Sequence, residues 1–191
     1  MGRRRGAFGQ AVGFVPSALA LAVARALPYE RRVAFGGWLG RRLTLGLPRF
    51  RARIEANLAY VMPELGPVER AAIAAEVGDT FGRSFVELFS MEEYQARRLW
   101  LGPTGAGVAV LEAAAREGRA AIVVTGHLGQ WEAGRAWMKA DVREIGAVYR
   151  PLNNPHLDRR YVRQLELGGR PMLEKGGRGL RGLVAHLGRG G

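Results

Sequence analysis

At 191 residues, with 48% hydrophobic and 24% charged side chains, the chain can bury the core of one ordinary domain, which excludes a disordered tail. Its 29 basic residues against 17 acidic ones give a net charge of +12, and all the basic residues but Lys139 and Lys175 are arginine, which suits phosphate, a phospholipid surface or an acidic carrier protein alike. The absence of cysteine excludes disulfides, cysteine-ligated zinc and an enzyme-borne thiol nucleophile.

Met1 to Arg5 is a basic cluster, whereas Gly6 to Ala24 carries no charge and owes its apolar character to residues such as Phe8, Phe14, Val15, Leu19 and Leu21. Arg25, Arg31 and Arg32 follow, so cationic residues flank both ends. Residues 1–27 are therefore expected to form a membrane-anchoring or interfacial segment ahead of a domain over 28–191. Two other readings stay open: a signal peptide, which the triplet Ala22, Val23, Ala24 would suit, and an ordinary buried helix.

From Arg49 the pattern is helical, with Phe50, Ile54, Leu58 and Val61 recurring at three- to four-residue steps until Pro63. A second helix is predicted from Pro67, a good first helical position, with Ile73, Val77, Phe81, Phe85 and Leu88 on one stripe down to about Met91. These two helices make a helical N-terminal layer. Beyond a Gly/Pro break at Gly102 to Gly107, the pattern alternates. A helix is expected near Val108 to Arg116, a strand over Ala121 to Thr125, a helix near Gln130 to Ala140 and a strand over Ile145 to Tyr149. Then come a helix over Leu157 to Leu167, a short strand over Pro171 to Glu174 and a last helix over Leu180 to Leu187. This predicts an α/β fold with a βαβαβα open sheet. About three strands are few for that class, so the sheet is expected to be incomplete at the carboxyl end.

The segment VTGHLGQWEAG places Gly126 and His127 directly after an apolar run, then Gly129 and a helix carrying Trp131 and Glu132. His127 and Glu132 are five apart, a spacing that within one helix would splay them by about 140°. They cooperate only if His127 lies in the turn and Glu132 in the first helical turn, a geometry that Gly126 and Gly129 permit. The carboxylate would then hold one imidazole nitrogen and leave the other free to take a proton from an attacking hydroxyl. Taken alone, such a pair is more often a capping or core histidine beside a solvated glutamate. Farther on, Tyr149 ends a predicted strand and Arg150 emerges at its carboxyl edge, ahead of the loop Pro151, Leu152, Asn153, Asn154, Pro155. A guanidinium there would bind a phosphate or the oxyanion of a tetrahedral intermediate.

VTGHLGQWE, followed by VYRPLNNPHLD, resembles the late acyltransferases of lipid A biosynthesis, the lauroyl and myristoyl transferases, within the glycerolipid and lysophospholipid acyltransferase superfamily. The resemblance extends more weakly from the region of Asn57 and Pro63 through Lys175. It implies that His127 is the general base, that Glu132 is its partner and that Arg150 meets phosphate or the developing oxyanion. Gly126, Gly129, Asn153 and Asn154 would line the substrate. Leu128 and Gln130 depart from the family's usual aromatic and asparagine, which bears on acyl-chain and acceptor preference. Members of the family continue beyond this point into a strand bearing an acidic residue.

The resemblance further implies a fatty acyl donor, either acyl carrier protein or a CoA thioester, and a hydroxyl acceptor on a lipid A precursor or related lipid. No cofactor and no nucleic acid are expected. The location implied is the cytoplasmic face of a bacterial inner membrane, against anionic lipid. The rival reading is a non-catalytic basic α/β module that binds anionic membrane or nucleic acid.

Other signals are read more plainly. Gly177, Gly179 and Gly182 spell GxGxxG, yet 28 glycines make a chance match easy, so helix-start glycines are the better account. Ser84 is expected to be structural. His156 and His186 have no zinc-like spacing to carboxylates, and no metal site is expected.

Overall fold

The computed structural model describes residues 19–191. Most of the segment 1–27 lies outside them; within it, residues 19–25 are helical (α1), with Leu21 and Ala24 buried. Among the described residues no helix is long and apolar enough to cross a membrane. The chain divides into two compact units, one over Leu19–Glu87 and one over Leu88–Gly191.

The first unit is helical, comprising α1, α2 (Tyr29–Gly46), α3 (Pro48–Val61) and α4 (Pro67–Leu88), which runs to the unit boundary. The carbonyl of Leu27 accepts from Arg32 Nη2 at 3.0 Å, fixing the turn into α2. Pro48 takes the first position of α3, where its missing N–H costs nothing. At the start of α4, the backbone N–H of Gly66 donates to Glu69 Oε2 at 2.8 Å.

What joins α2 to α4 is glycine. Gly36 and Gly40 on α2 meet Gly78 and Gly82 on α4 so closely that a Cβ on Gly40 would enter the carbonyl oxygen of Gly78. The same spacing of four on both helices strips side chains from one stripe of each, and the backbones come into contact. This corrects the expected stripe of α4 in part, since Leu88 is fully buried and Ile73 and Phe85 are half-buried as that stripe required. Ala74, Ala75, Gly78, Gly82 and Val86 are buried, while Val77 and Phe81 of the predicted apolar stripe are exposed. On α3, Leu58 is buried but Phe50 and Val61, from the predicted stripe, are exposed.

The second unit holds α5 (Met91–Ala96), α6 (Gly107–Arg116), α7 (Ala133–Asp141), β1 (Ala147–Tyr149), α8 (Pro155–Leu167), β2 (Met172–Glu174) and α9 (Gly177–Leu187). Leu88 and Met91 are its most deeply buried large side chains, each worth about 1.5–3 kcal/mol of transfer free energy. Strands β1 and β2 pair in parallel, with Ala147 opposite Met172 and Tyr149 opposite Glu174, and α8 makes the crossover. Gln95 Nε2 of α5 donates to the Leu167 carbonyl at the end of α8 at 2.7 Å. Arg98 Nη2 meets both carboxylate oxygens of Asp141 at 2.5 and 2.8 Å, tying the exit of α5 to α7.

The α/β class stands in coarse form: the described residues are mostly helical, and the second unit holds a two-stranded parallel sheet against which α8 and α9 pack. The extended βαβαβα layout does not, because Ala121–Thr125 is not a strand in this structure. Among the described residues its one backbone hydrogen bond to another segment runs from Ala121 N–H to the Gly191 carbonyl at 3.3 Å, and Val124 is 89% exposed. An apolar run acquires strand structure only where a neighbouring backbone offers a ladder, and among the described residues none is paired with it. Gly179 of the GxGxxG run closes against the carbonyl of Glu174, and Gly182 packs on Leu173, so these glycines seat α9 on β2.

Candidate active site

The site begins at the turn that leads into α7. His127 occupies the left-handed region at φ 44°, which costs a residue with a Cβ about 1 kcal/mol or more. Gly129 takes φ 56° without that penalty, whereas Gly126 stays outside the left-handed region. The turn is therefore carried by His127 and Gly129 rather than by the two glycines. Trp131 N–H donates to the Gly129 carbonyl at 3.1 Å, and Glu132 N–H to Gln130 Oε1 at 3.2 Å, winding the chain into α7 with Glu132 at its N-cap. His127 thus lies in the turn and Glu132 at the helix start, the condition under which the pair cooperates.

The two side chains occupy different environments. The imidazole of His127 is exposed and leans on Trp131, with ring centroids 5.6 Å apart. Glu132 is only 5% exposed. Burial pushes its carboxyl above the usual range, while the charge and hydrogen bond of Arg135 and, less strongly, the charge of His127 pull it back. No hydrogen bond joins His127 to Glu132 in this structure. Glu132 Oε2 instead accepts from Arg135 Nη1 at 2.6 Å.

Arg135 escaped the sequence reading, although a Glu-x-x-Arg spacing on a helix is a recognisable i,i+3 pair. Tyr161 of α8 also escaped it. Its hydroxyl is raised above its ordinary range by burial and then by the charge of Glu132. Its ring lies 6.5 Å from that of Tyr149, whose hydroxyl is pushed up to about 12 by burial and neighbouring carboxylates.

Arg150 is exposed just past β1 and makes no hydrogen bond or ion pair among the described residues. The loop after it is held firmly, because Leu152 N–H donates to Asp158 Oδ1 at 2.7 Å. Asn154 caps α8, its Oδ1 accepting from His156 N–H at 3.0 Å and Leu157 N–H at 3.3 Å. Asn153 is exposed beside it. No hydrogen bond or ion pair links Arg150, Asn153 or Asn154 to His127 or Glu132. Space around Gly126 is open, and a Cβ there would touch nothing.

The remaining singled-out residues have structural surroundings. Ser84 is buried. His156 Nδ1 lies 3.0 Å from Arg159 Nη2, and His186 lines a recess of about 320 Å³ with Arg143, Glu144, Arg189 and Gly191. Among the described residues there is no cluster of three His, Asp or Glu able to hold a metal ion.

The second unit thus carries a small parallel βαβ unit and, ahead of α7, an exposed imidazole on a turn that leads to a buried carboxylate. The chain belongs to the bacterial lipid A biosynthesis acyltransferase family, whose pattern matches residues 11–191. Membership makes it an acyltransferase in general terms, with an acyl donor and a lipid acceptor. No curated protein and no solved structure matches it.

Proposed function

We propose that this chain moves a fatty acyl group from an acyl carrier protein or CoA thioester to a hydroxyl of a lipid A precursor or related lipid. The observation that carries this reading is the placement of His127 on an exposed turn, five residues ahead of the buried Glu132 at the start of α7, in a chain of this family. His127 takes the proton of the acceptor hydroxyl, and the oxygen attacks the thioester carbonyl. The tetrahedral intermediate then collapses, expelling the thiolate, which recovers a proton from the imidazolium. Glu132 orients the neutral ring and stabilises the imidazolium as it forms. Arg150, with its guanidinium uncommitted, meets the oxyanion or an acceptor phosphate, helped by backbone N–H groups around Gly126 and Gly129 and by Asn153. No enzyme-bound acyl group and no cofactor enter the scheme.

The reading extends to location, the cytoplasmic face of the bacterial inner membrane. Support comes from the surface of α2 and the start of α3. Trp38 is 53% exposed, Arg42 lies over its ring at 5.9 Å, and Arg49 lies over Phe50 at 4.7 Å. Trp38, Arg41, Arg42, Leu45 and Gly46 line a recess of about 520 Å³. Interfacial aromatics beside arginines suit an anionic lipid surface.

The test is transfer of a labelled acyl group by the full chain to a lipid A precursor in mixed micelles, from each donor in turn. Transfer by wild type and its loss in His127→Ala supports the reading. Refusal of both donors, with a lysolipid acceptor also refused, contradicts it.

A further inference from the structure

Arg135 stands one helical turn beyond Glu132 on α7, on the same face. Its guanidinium is buried and spans three elements. Nη1 donates to Glu132 Oε2 at 2.6 Å, while Nη2 reaches the carbonyls of Leu165 at 3.2 Å and Gly169 at 2.9 Å and lies 3.2 Å from Met172 Sδ. The group thereby bridges the start of α7, the carboxyl end of α8 and the first residue of β2. Its Nε is buried with no hydrogen-bond partner, a desolvation cost the fold carries. Room for the pair is left by Gly168, since a Cβ there would stand 3.1 Å from Glu132 Oε2.

A carboxylate held through one oxygen has the position of its other oxygen largely decided. Glu132 Oε2 is taken by Arg135, and Oε1 accepts no hydrogen bond among the described residues. We propose that Arg135 is a positioning residue, fixing Glu132 through Oε2 so that Oε1 is left to receive a ring N–H of His127. The inference rests on the acyl-transfer reading and names the group that makes its dyad work.

Among the described residues, the titratable groups in electrostatic contact with Glu132 include Arg135 on α7, His127 on the turn and Tyr161 on α8. Arg135 opposes the effect of burial on the carboxyl more strongly than His127 does. Without it the carboxyl stays neutral farther up the pH scale and is free to rotate. A neutral carboxyl cannot stabilise an imidazolium.

The experiment follows kcat and KM of the full chain across pH for wild type, Arg135→Met, Arg135→Lys and His127→Ala. The Glu132 carboxyl 13C resonance, identified by its disappearance in Glu132→Gln, is titrated alongside. Arg135→Met is expected to lose on the order of tenfold to a hundredfold in kcat at neutral pH, as misplacement of a reacting group does, with KM little changed. Its acid limb and its Glu132 titration should both move to higher pH. Arg135→Lys keeps the charge and hence the acid limb, but one ammonium cannot hold Oε2 and two carbonyls together, so kcat still falls. Should Arg135→Met fail to fold, Arg135→Lys decides by the same criterion. An unchanged kcat and pH profile in a folded Arg135 variant, beside an inactive His127→Ala, overturns this inference alone. A His127→Ala chain as active as wild type overturns the dyad reading and the inference with it.

Discussion

Gly82 of α4 lies against the carbonyl oxygen of Gly36 of α2 so closely that a Cβ on Gly82 would occupy the place of that oxygen. Backbone-to-backbone packing of this kind has no flexible side chain to give way, so Gly82→Val must push the helices apart. The expected loss is about 2–3 kcal/mol, read from urea or thermal unfolding of the full chain. A variant as stable as wild type would show that α2 and α4 do not meet at this stripe.

Asn154 was expected from the resemblance to line the substrate, but its side-chain oxygen is engaged at the start of α8. Asn154→Ala should therefore cost about 1 kcal/mol of stability, and Asn154→Asp, which keeps the acceptor, much less. Unfolding midpoints of the two variants check this. Equal stability in both would remove the cap as its role.

The raised carboxyl of Glu132 fixes a sign for the pH dependence of stability. A group whose folded pKa exceeds its unfolded one binds more protons in the native state, so its contribution falls as pH climbs from the ordinary carboxylate range to the elevated folded value. Wild type should lose stability relative to Glu132→Gln as pH rises through that window. Unfolding free energies of both chains from about pH 4 upward give the difference. A wild type that gains stability relative to Glu132→Gln as pH rises would mean that Arg135 outweighs burial.

The α2 surface gives a prediction separate from catalysis. Trp38→Ala and Arg42→Ala should each weaken binding to vesicles containing anionic phosphatidylglycerol, by about 1 kcal/mol for the arginine, and binding should weaken with added salt. Vesicle sedimentation measures it. Equal binding to neutral and anionic vesicles would count against the surface.

Periodicity located most helices of the second unit, because α6, α8 and α9 each carry an apolar face that can be counted. On α4 it placed Leu88 correctly but not Val77 and Phe81, since hydrophobicity scales reward those two and overlook glycine, whereas the contact with α2 is made where side chains are missing. The run Ala121–Thr125 shows the complementary limit. Its residues suit a strand, but strand structure depends on a partner that no local pattern specifies. At the site, a turn holding His127 ahead of a helix that starts at Glu132 was legible, as was the emergence of Arg150 beyond β1, whereas the left-handed backbone expected of Gly126 falls on His127 itself. Arg135 was not, because its role depends on the carbonyls of Leu165 and Gly169, about thirty residues away in sequence. The cap made by Asn154 was hidden behind a motif that suggested a ligand.

The central claim is that His127 and Glu132 act as one unit on an acyl acceptor, and a double-mutant cycle in acyl transfer tests it most directly. His127→Ala should lower kcat/KM by roughly a hundredfold to ten-thousandfold, as loss of a general base does. Glu132→Gln should cost less, and the double variant should be no slower than His127→Ala alone, because the carboxylate acts only through the ring. Losses that multiply in the double variant, or a His127→Ala chain with wild-type turnover, would contradict it.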